Sequence, residues 1–157
     1  MNITQISEQF SIAGPMTVEP VPSGLIHKTF FVHGATGDFV VQQLHVIVRP
    51  ETCEDAQVIT AYARERDVPV PEFLLTRNGK PWYRADDGSL WRAMKRLPGE
   101  SHTTVRSPDA AHSAAALLGQ FHVAMKDSAY ECRGAIPHFH DTPYIFEQFK
   151  QVAAAHE

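Results

Sequence analysis

Residues 23–44, SGLIHKTFFVHGATGDFVVQQL, hold the clearest candidate for chemistry in this chain. Pro22-Ser23-Gly24 forms a glycine turn that leads into a strand pair, and Ser23 and Gly24 let backbone N–H groups approach phosphate oxygens with no bulky side chain in the way. A second constellation is His138, His140 and Asp141. An H-x-H pair in an extended segment puts both rings on one face, as a zinc site requires, and Cys132 offers a thiolate. Cys132 is isolated, however, and no second ligand cluster accompanies it, so no metal site is expected. His122 lies beside an apolar stripe and reads as a core-edge histidine.

The elements that must position these residues follow from pattern. A short helix over residues 3–12 ends at Gly14-Pro15, and residues 16–21 read as extended. The hairpin follows: a strand running to Val32, a turn at residues 34–37, and a strand from Phe39. The run ETCEDAQVITAYARERD has acids at its start and Arg64 and Arg66 near its end, which suits a helix dipole. Strands are expected over residues 72–76, 81–84 and 90–97, separated by the turns RNGK and DDGS. The first hundred or so residues thus predict a five-stranded antiparallel sheet plus one helix, an α+β arrangement.

From Ser107 the character changes. Ser107-Pro108 is an N-cap followed by proline at the first helical position. Ala111, Ala115, Leu118, Phe121 and Met125 then recur at helical spacing. Thr142-Pro143 opens a further helix, with Asp141 or Thr142 as its N-cap. The boundary falls at residues 99–106, dividing the chain into a β-rich part, 1–99, and an α-rich part, 100–157.

Composition narrows the function classes. The 157 residues carry a net charge of −4, so no basic excess is available to neutralise nucleic-acid phosphates. No apolar run approaches a membrane span, and the N-terminal residues lack a signal-peptide apolar core. Two isolated cysteines, Cys53 and Cys132, point to a reduced, cytoplasmic protein.

The order GLIHKTF, FVVQQL, a helix bearing a Glu, WRAMKRLPGE, LLGQFH and FHDTP resembles the aminoglycoside phosphotransferase and choline kinase superfamily. Within it, the chain is most similar to sugar kinases related to N-acetylhexosamine 1-kinase. The resemblance implies a protein-kinase-like N-terminal lobe, the first helices of a C-terminal lobe, and the cofactors ATP and Mg²⁺. It covers only the front half of such a kinase. The catalytic H-x-D-x-x-x-x-N loop and the later metal-binding Asp have no counterpart, so this chain alone is expected to be inactive.

The resemblance also assigns roles. Ser23 and Gly24 would lie over the nucleotide phosphates, with His27 where the branch often has Asn. Gln42 and Gln43 occupy the strand position that normally supplies a cation, with Lys28 on the facing strand as a partial substitute or simply a solvated side chain. Glu54 takes the place of the helix acid that holds that cation, or serves only the helix dipole. The stretch from Arg92 to Leu97, including Lys95, resembles the inter-lobe hinge whose backbone would hold adenine. His140 and Asp141 would border a sugar pocket. The uncharged Gln42 and Gln43 keep a second class open, a binding or regulatory module derived from a kinase lobe. A zinc hydrolase built on His138 and His140 is a third reading. The apolar inter-lobe surface makes a homodimer plausible.

Overall fold

The computed structural model describes residues 2–22, 24–100 and 102–155. The chain opens with α1 (Ile3–Gln9), whose capping box joins the Asn2 side chain to the Thr4 N–H while the Gln5 side chain accepts from the Asn2 N–H. Ser11, at φ 61°, turns the chain back before the sheet begins. Then come β1 (Thr17–Val21), β2 (Lys28–Gly34), β3 (Gly37–Gln43), α2 (Pro50–Arg64), β4 (Tyr83–Arg84) and β5 (Leu90–Lys95). The five strands form one antiparallel sheet in the order β1-β2-β3-β5-β4.

Alternation along each strand sorts the sheet into two faces. Val32, Phe39, Val41, Trp91 and Ala93 pack with Ile6, Phe10 and Ile12 into the main core beneath α1. Leu44, Leu90 and Cys53 make a smaller cluster on the opposite face, where α2 docks. The side chains between these two apolar groups, on the α2 face, are those free to do chemistry.

Two expected strands change. Residues 72–76 form only an isolated bridge, Phe73 to Met94, with Leu74 N–H donating to Ala93 O and Lys95 N–H to Glu72 O. The edge of β5 available to them is shared with β4, and Thr76 bonds instead into the Lys80 turn. β4 is two residues long, because Pro81 has no N–H to give the ladder. β2 starts at Lys28, not directly after the glycine turn: its pairing with β1 ends at Val21 and Thr29, leaving the intervening residues as a loop.

The α-rich part holds α3 (Pro108–Met125) and α4 (Thr142–Ala154). Ser107 and Asp141 cap them as their sequence contexts predict, accepting from Ala110 N–H and Tyr144 N–H, each at 3.1 Å. Neither helix buries a residue: Leu118 of the expected α3 stripe is exposed, as are Ile145, Phe146, Phe149 and Val152 of α4. No helix among the described residues is long and apolar enough to cross a membrane.

Candidate functional site

Thr29, Gln42 and Arg92 lie side by side across β2, β3 and β5, Thr29 opposite Gln42 and Gln42 opposite Arg92. All three sit on the α2 face, because their neighbours along the strands, Phe30, Val41 and Trp91, belong to the α1 core. The Gln42 amide links them: its nitrogen donates to Thr29 Oγ1 at 3.1 Å, and its oxygen accepts from Arg92 Nε at 2.9 Å. Thr29 Oγ1 in turn reaches the His27 carbonyl at 3.5 Å. A polar line thus runs from β5 to the loop between β1 and β2.

Arg92 carries the line's only formal charge. It stands over the Phe73 ring, 5.2 Å from its centroid, and close enough to Cys53 for the two to perturb each other. Burial lowers its pKa, opposed by Cys53. No carboxylate among the described residues pairs with it. Its terminal nitrogens make no hydrogen bond among the described residues, and the residue is half-buried. A desolvated guanidinium with open donors is suited to a phosphate oxygen.

The loop above this line holds the other anion-directed residues. Ser23 lies outside the described residues. Gly24 is glycine for a local reason: a Cβ there would come within 2.6 Å of the His27 carbonyl oxygen. His27 Nδ1 accepts from the His45 N–H at 3.3 Å, and its pKa is lowered by burial, then by Arg92 and His45. Lys28 and Gln43 face each other on the opposite side of the sheet from Gln42, sharing the face of Phe30 and Val41. Lys28 therefore cannot stand in for a cation at Gln42. The uncharged strand position is bordered by Arg92 instead.

Glu54 makes no hydrogen bond or ion pair with β3 among the described residues. Its carboxylate accepts from Trp82 Nε1 at 3.4 Å and from an Arg133 Nη at 2.9 Å. The α2 side chain turned toward the sheet is Cys53, and one helical turn on, Gln57 Oε1 is buried with no partner among the described residues. Beside Glu54, Asp55 accepts from Tyr130 OH at 2.7 Å, Arg133 N–H at 3.1 Å and Gly134 N–H at 2.6 Å. Thr52 Oγ1 donates to Gly134 O at 2.8 Å, and Arg49 donates to the carbonyls of Arg133 and Ala135. The start of α2 is thereby latched to the segment between α3 and α4.

At the end of β5, Lys95 forms an ion pair with Glu72 at 2.8 Å on the α1 side. Arg96 N–H donates to Asp38 O, and its guanidinium covers the Phe31 ring at 4.1 Å. Leu97 is half exposed and, with Asp38, Arg96 and Pro98, lines a cleft of about 360 Å³. Larger clefts of about 590 Å³ lie between α1 and the β4 turn and between the end of α2 and α3, both away from the polar line.

His138 and His140 do not share a face. His138 adopts φ 57°, which bends the segment out of an extended conformation. Its ring stacks on Tyr144 at 3.9 Å with Nδ1 held 2.8 Å from Asp141 Oδ2, while His140 lies edge-on to Phe139. Asp141 both caps α4 and fixes His138. Neither residue contacts the polar line through a hydrogen bond or ion pair among the described residues.

The phosphotransferase enzyme family matches residues 17–157, nearly the whole chain. The chain belongs to that family. Its fold is similar to that of an aminoglycoside phosphotransferase from Alicyclobacillus acidocaldarius, with a TM-score of 0.62 at 14% identity. That alignment takes in 92% of this chain but 42% of the solved one, so the chain spans less than half the length of that phosphotransferase. A second structure, described as an aminoglycoside phosphotransferase from Ralstonia eutropha, aligns at 18% identity with a TM-score of 0.45 over 68% of this chain and 30% of its own. The α+β architecture, a five-stranded antiparallel sheet with its helices, is that of the kinase-like phosphotransferases.

Two residues that the fold brings into play carry no clear mark in the sequence. Arg92 was legible only as the start of the hinge, although it is the one charge between Leu90 and Met94 on their shared strand face. Asp55 is not distinguished by sequence from its neighbour Glu54, because nothing local separates an acid that binds a distant loop from one that serves the helix dipole.

Proposed function

We propose that this chain is the nucleotide-binding part of an ATP-dependent small-molecule kinase, one that transfers the γ-phosphoryl group to a hydroxyl of an amino sugar or similar metabolite. The observation that carries the reading is the polar line Arg92-Gln42-Thr29 beneath the β1–β2 loop, in a chain of the phosphotransferase family. In this reading the loop backbone around Gly24 and His27 lies over the phosphates. The backbone of residues 95–97 takes the adenine edge, and Met94 and Phe31 flank the base. Phosphoryl transfer needs alignment and charge neutralisation more than covalent chemistry from the protein, and these are the roles such residues can fill.

Among the described residues, no group of His, Cys, Asp and Glu side chains is placed to hold a metal ion. Mg²⁺ would arrive with the nucleotide or be held by residues other than these. The sequence likewise contains no H-x-D-x-x-x-x-N loop. The 157-residue chain by itself is expected to bind nucleotide without turnover. The sugar-kinase branch is the finer form of the proposal, supported by the motif order ending in FHDTP.

Calorimetric titration with Mg²⁺-ATP tests the reading. Saturable heat at micromolar concentration is expected, with no phosphorylation of N-acetylhexosamines by the isolated chain. The uncharged Gln42 favours a second reading, a non-catalytic binding module, and absence of ATP binding would select it over the first.

A further inference from the structure

The cation that a kinase-type site places on the third strand is absent from β3, where Gln42 and Gln43 stand, and Lys28 points off the wrong face. We propose that Arg92, one strand over, is the residue that holds the nucleotide polyphosphate, with Gln42 as its positioning residue. The proposal rests on the kinase reading above and names the charge that reading requires.

The geometry argues for a ligand and against a purely structural arginine. Register sets Arg92 directly opposite Gln42, so its guanidinium starts from the neighbouring position on the same face. Gln42 binds Nε only, at 2.9 Å, which fixes the plane of the guanidinium and leaves the outer fork without a hydrogen bond among the described residues. The amide's other end is fixed by Thr29, so the Gln42 oxygen cannot rotate away without losing both bonds. Phe73 supports the guanidinium face at 5.2 Å. A structural arginine at this depth would be expected to have a carboxylate partner. Glu54, the acid nearest in sequence to Cys53, is engaged by Arg133 and Trp82. A half-buried, oriented fork with no carboxylate partner among the described residues is suited to two phosphate oxygens.

Two substitutions at Arg92 and one at Gln42 test it in the full 157-residue chain. Arg92→Met removes the charge and relieves its burial cost, so it should fold at least as well, and Arg92→Gln keeps polarity without charge. Both are titrated with Mg²⁺-ATP and, separately, with adenosine. The expected result is ATP affinity about tenfold to a hundredfold weaker, as loss of a charge-assisted contact implies, with adenosine affinity unchanged. Gln42→Ala, which leaves the charge but not its aim, should weaken ATP less and leave adenosine alone. Wild-type ATP affinity in a folded Arg92 variant would overturn the assignment while leaving the kinase reading intact. Equal losses for ATP and adenosine would overturn it too, by marking Arg92 as structural. A wild-type chain that binds neither ligand would remove the kinase reading and this assignment together.

Discussion

Asp55 Oδ2 accepts the Gly134 N–H at 2.6 Å, joining the second turn of α2 to a loop 79 residues further along the chain. The same carboxylate takes Tyr130 OH and Arg133 N–H, so three donors from the α-rich part converge on one buried acid. This contact ties the helix that borders Arg92 to the segment between α3 and α4, and it fixes how the two parts of the chain meet.

Removing that acceptor should loosen the junction. Asp55→Ala leaves the Arg133 and Gly134 amides and the Tyr130 hydroxyl without their partner, and the buried Gly134 N–H costs more unpaired than its bond gains. A loss of about 2–3 kcal/mol is expected, with a smaller loss for Tyr130→Phe, which deletes one donor. Urea unfolding measures both. Limited proteolysis between residues 99 and 107 should accelerate in Asp55→Ala, because the latch no longer holds the α-rich part in place.

The latch should also respond to acid. Burial alone would raise the Asp55 carboxyl, but hydrogen bonds from Tyr130, Gly134 and Arg133, together with the Arg133 charge, carry its pKa below the ordinary 3.8. A carboxyl depressed on folding contributes stability that is complete above the unfolded value and disappears as pH falls through the folded one. The Asp55 contribution to the unfolding free energy should therefore be flat near neutrality and decline below about pH 4. Asp87 and Asp141 are lowered as well, by Ser89 and His138 respectively, and their contributions fall in the same acid range. The difference between the wild-type and Asp55→Asn pH profiles isolates the latch: the Asn variant should be less stable at pH 7 and lose less on acidification.

Gly134 itself admits no side chain. An added Cβ would lie 2.2 Å from Thr52 N and 2.4 Å from Thr52 Cα, both helix backbone that cannot yield without moving α2. Gly119, inside exposed α3, meets nothing within 4 Å. The same substitution should therefore act in opposite directions. Gly134→Ala should destabilise by more than about 2 kcal/mol, as overpacking against backbone does. Gly119→Ala should stabilise by roughly 0.5–1 kcal/mol through helix propensity. Thermal unfolding of the pair decides it, and a neutral Gly134→Ala would mean the loop does not sit on α2.

What the sequence made legible was local. The Ser107 and Asp141 caps and the turn between Gly34 and Gly37 each depend on residues within a few positions of one another. The Glu72–Thr76 run failed as a strand because β-propensity says nothing of whether a partner edge is free, and β5 had already given part of that edge to β4. Arg92 and Asp55 escaped for a related reason. The first gains its meaning from a strand pairing across 50 residues, and the second from backbone N–H groups that leave no mark on composition. Even Gly24, read as part of an entry turn, is glycine because of its approach to His27 O, a contact that turn chemistry alone does not specify.

The two cysteines should separate cleanly in reactivity. Cys53 is buried against Leu44 and Leu90, and burial pushes its thiol up to about 11, with the nearby Arg92 charge pulling down and Glu54 pushing up. Since the thiolate is the reactive form, Cys53 should be inert at pH 8 both for lack of access and for lack of ionisation. Cys132 is exposed on the loop between α3 and α4. Titration with a chromogenic disulfide reagent should therefore release one equivalent from the native chain and two after denaturation. ATP, added in excess, should leave the native count at one. A second equivalent from native protein would mean that α2 lifts off the sheet on the timescale of the assay, exposing the face on which Arg92 and Gln42 stand.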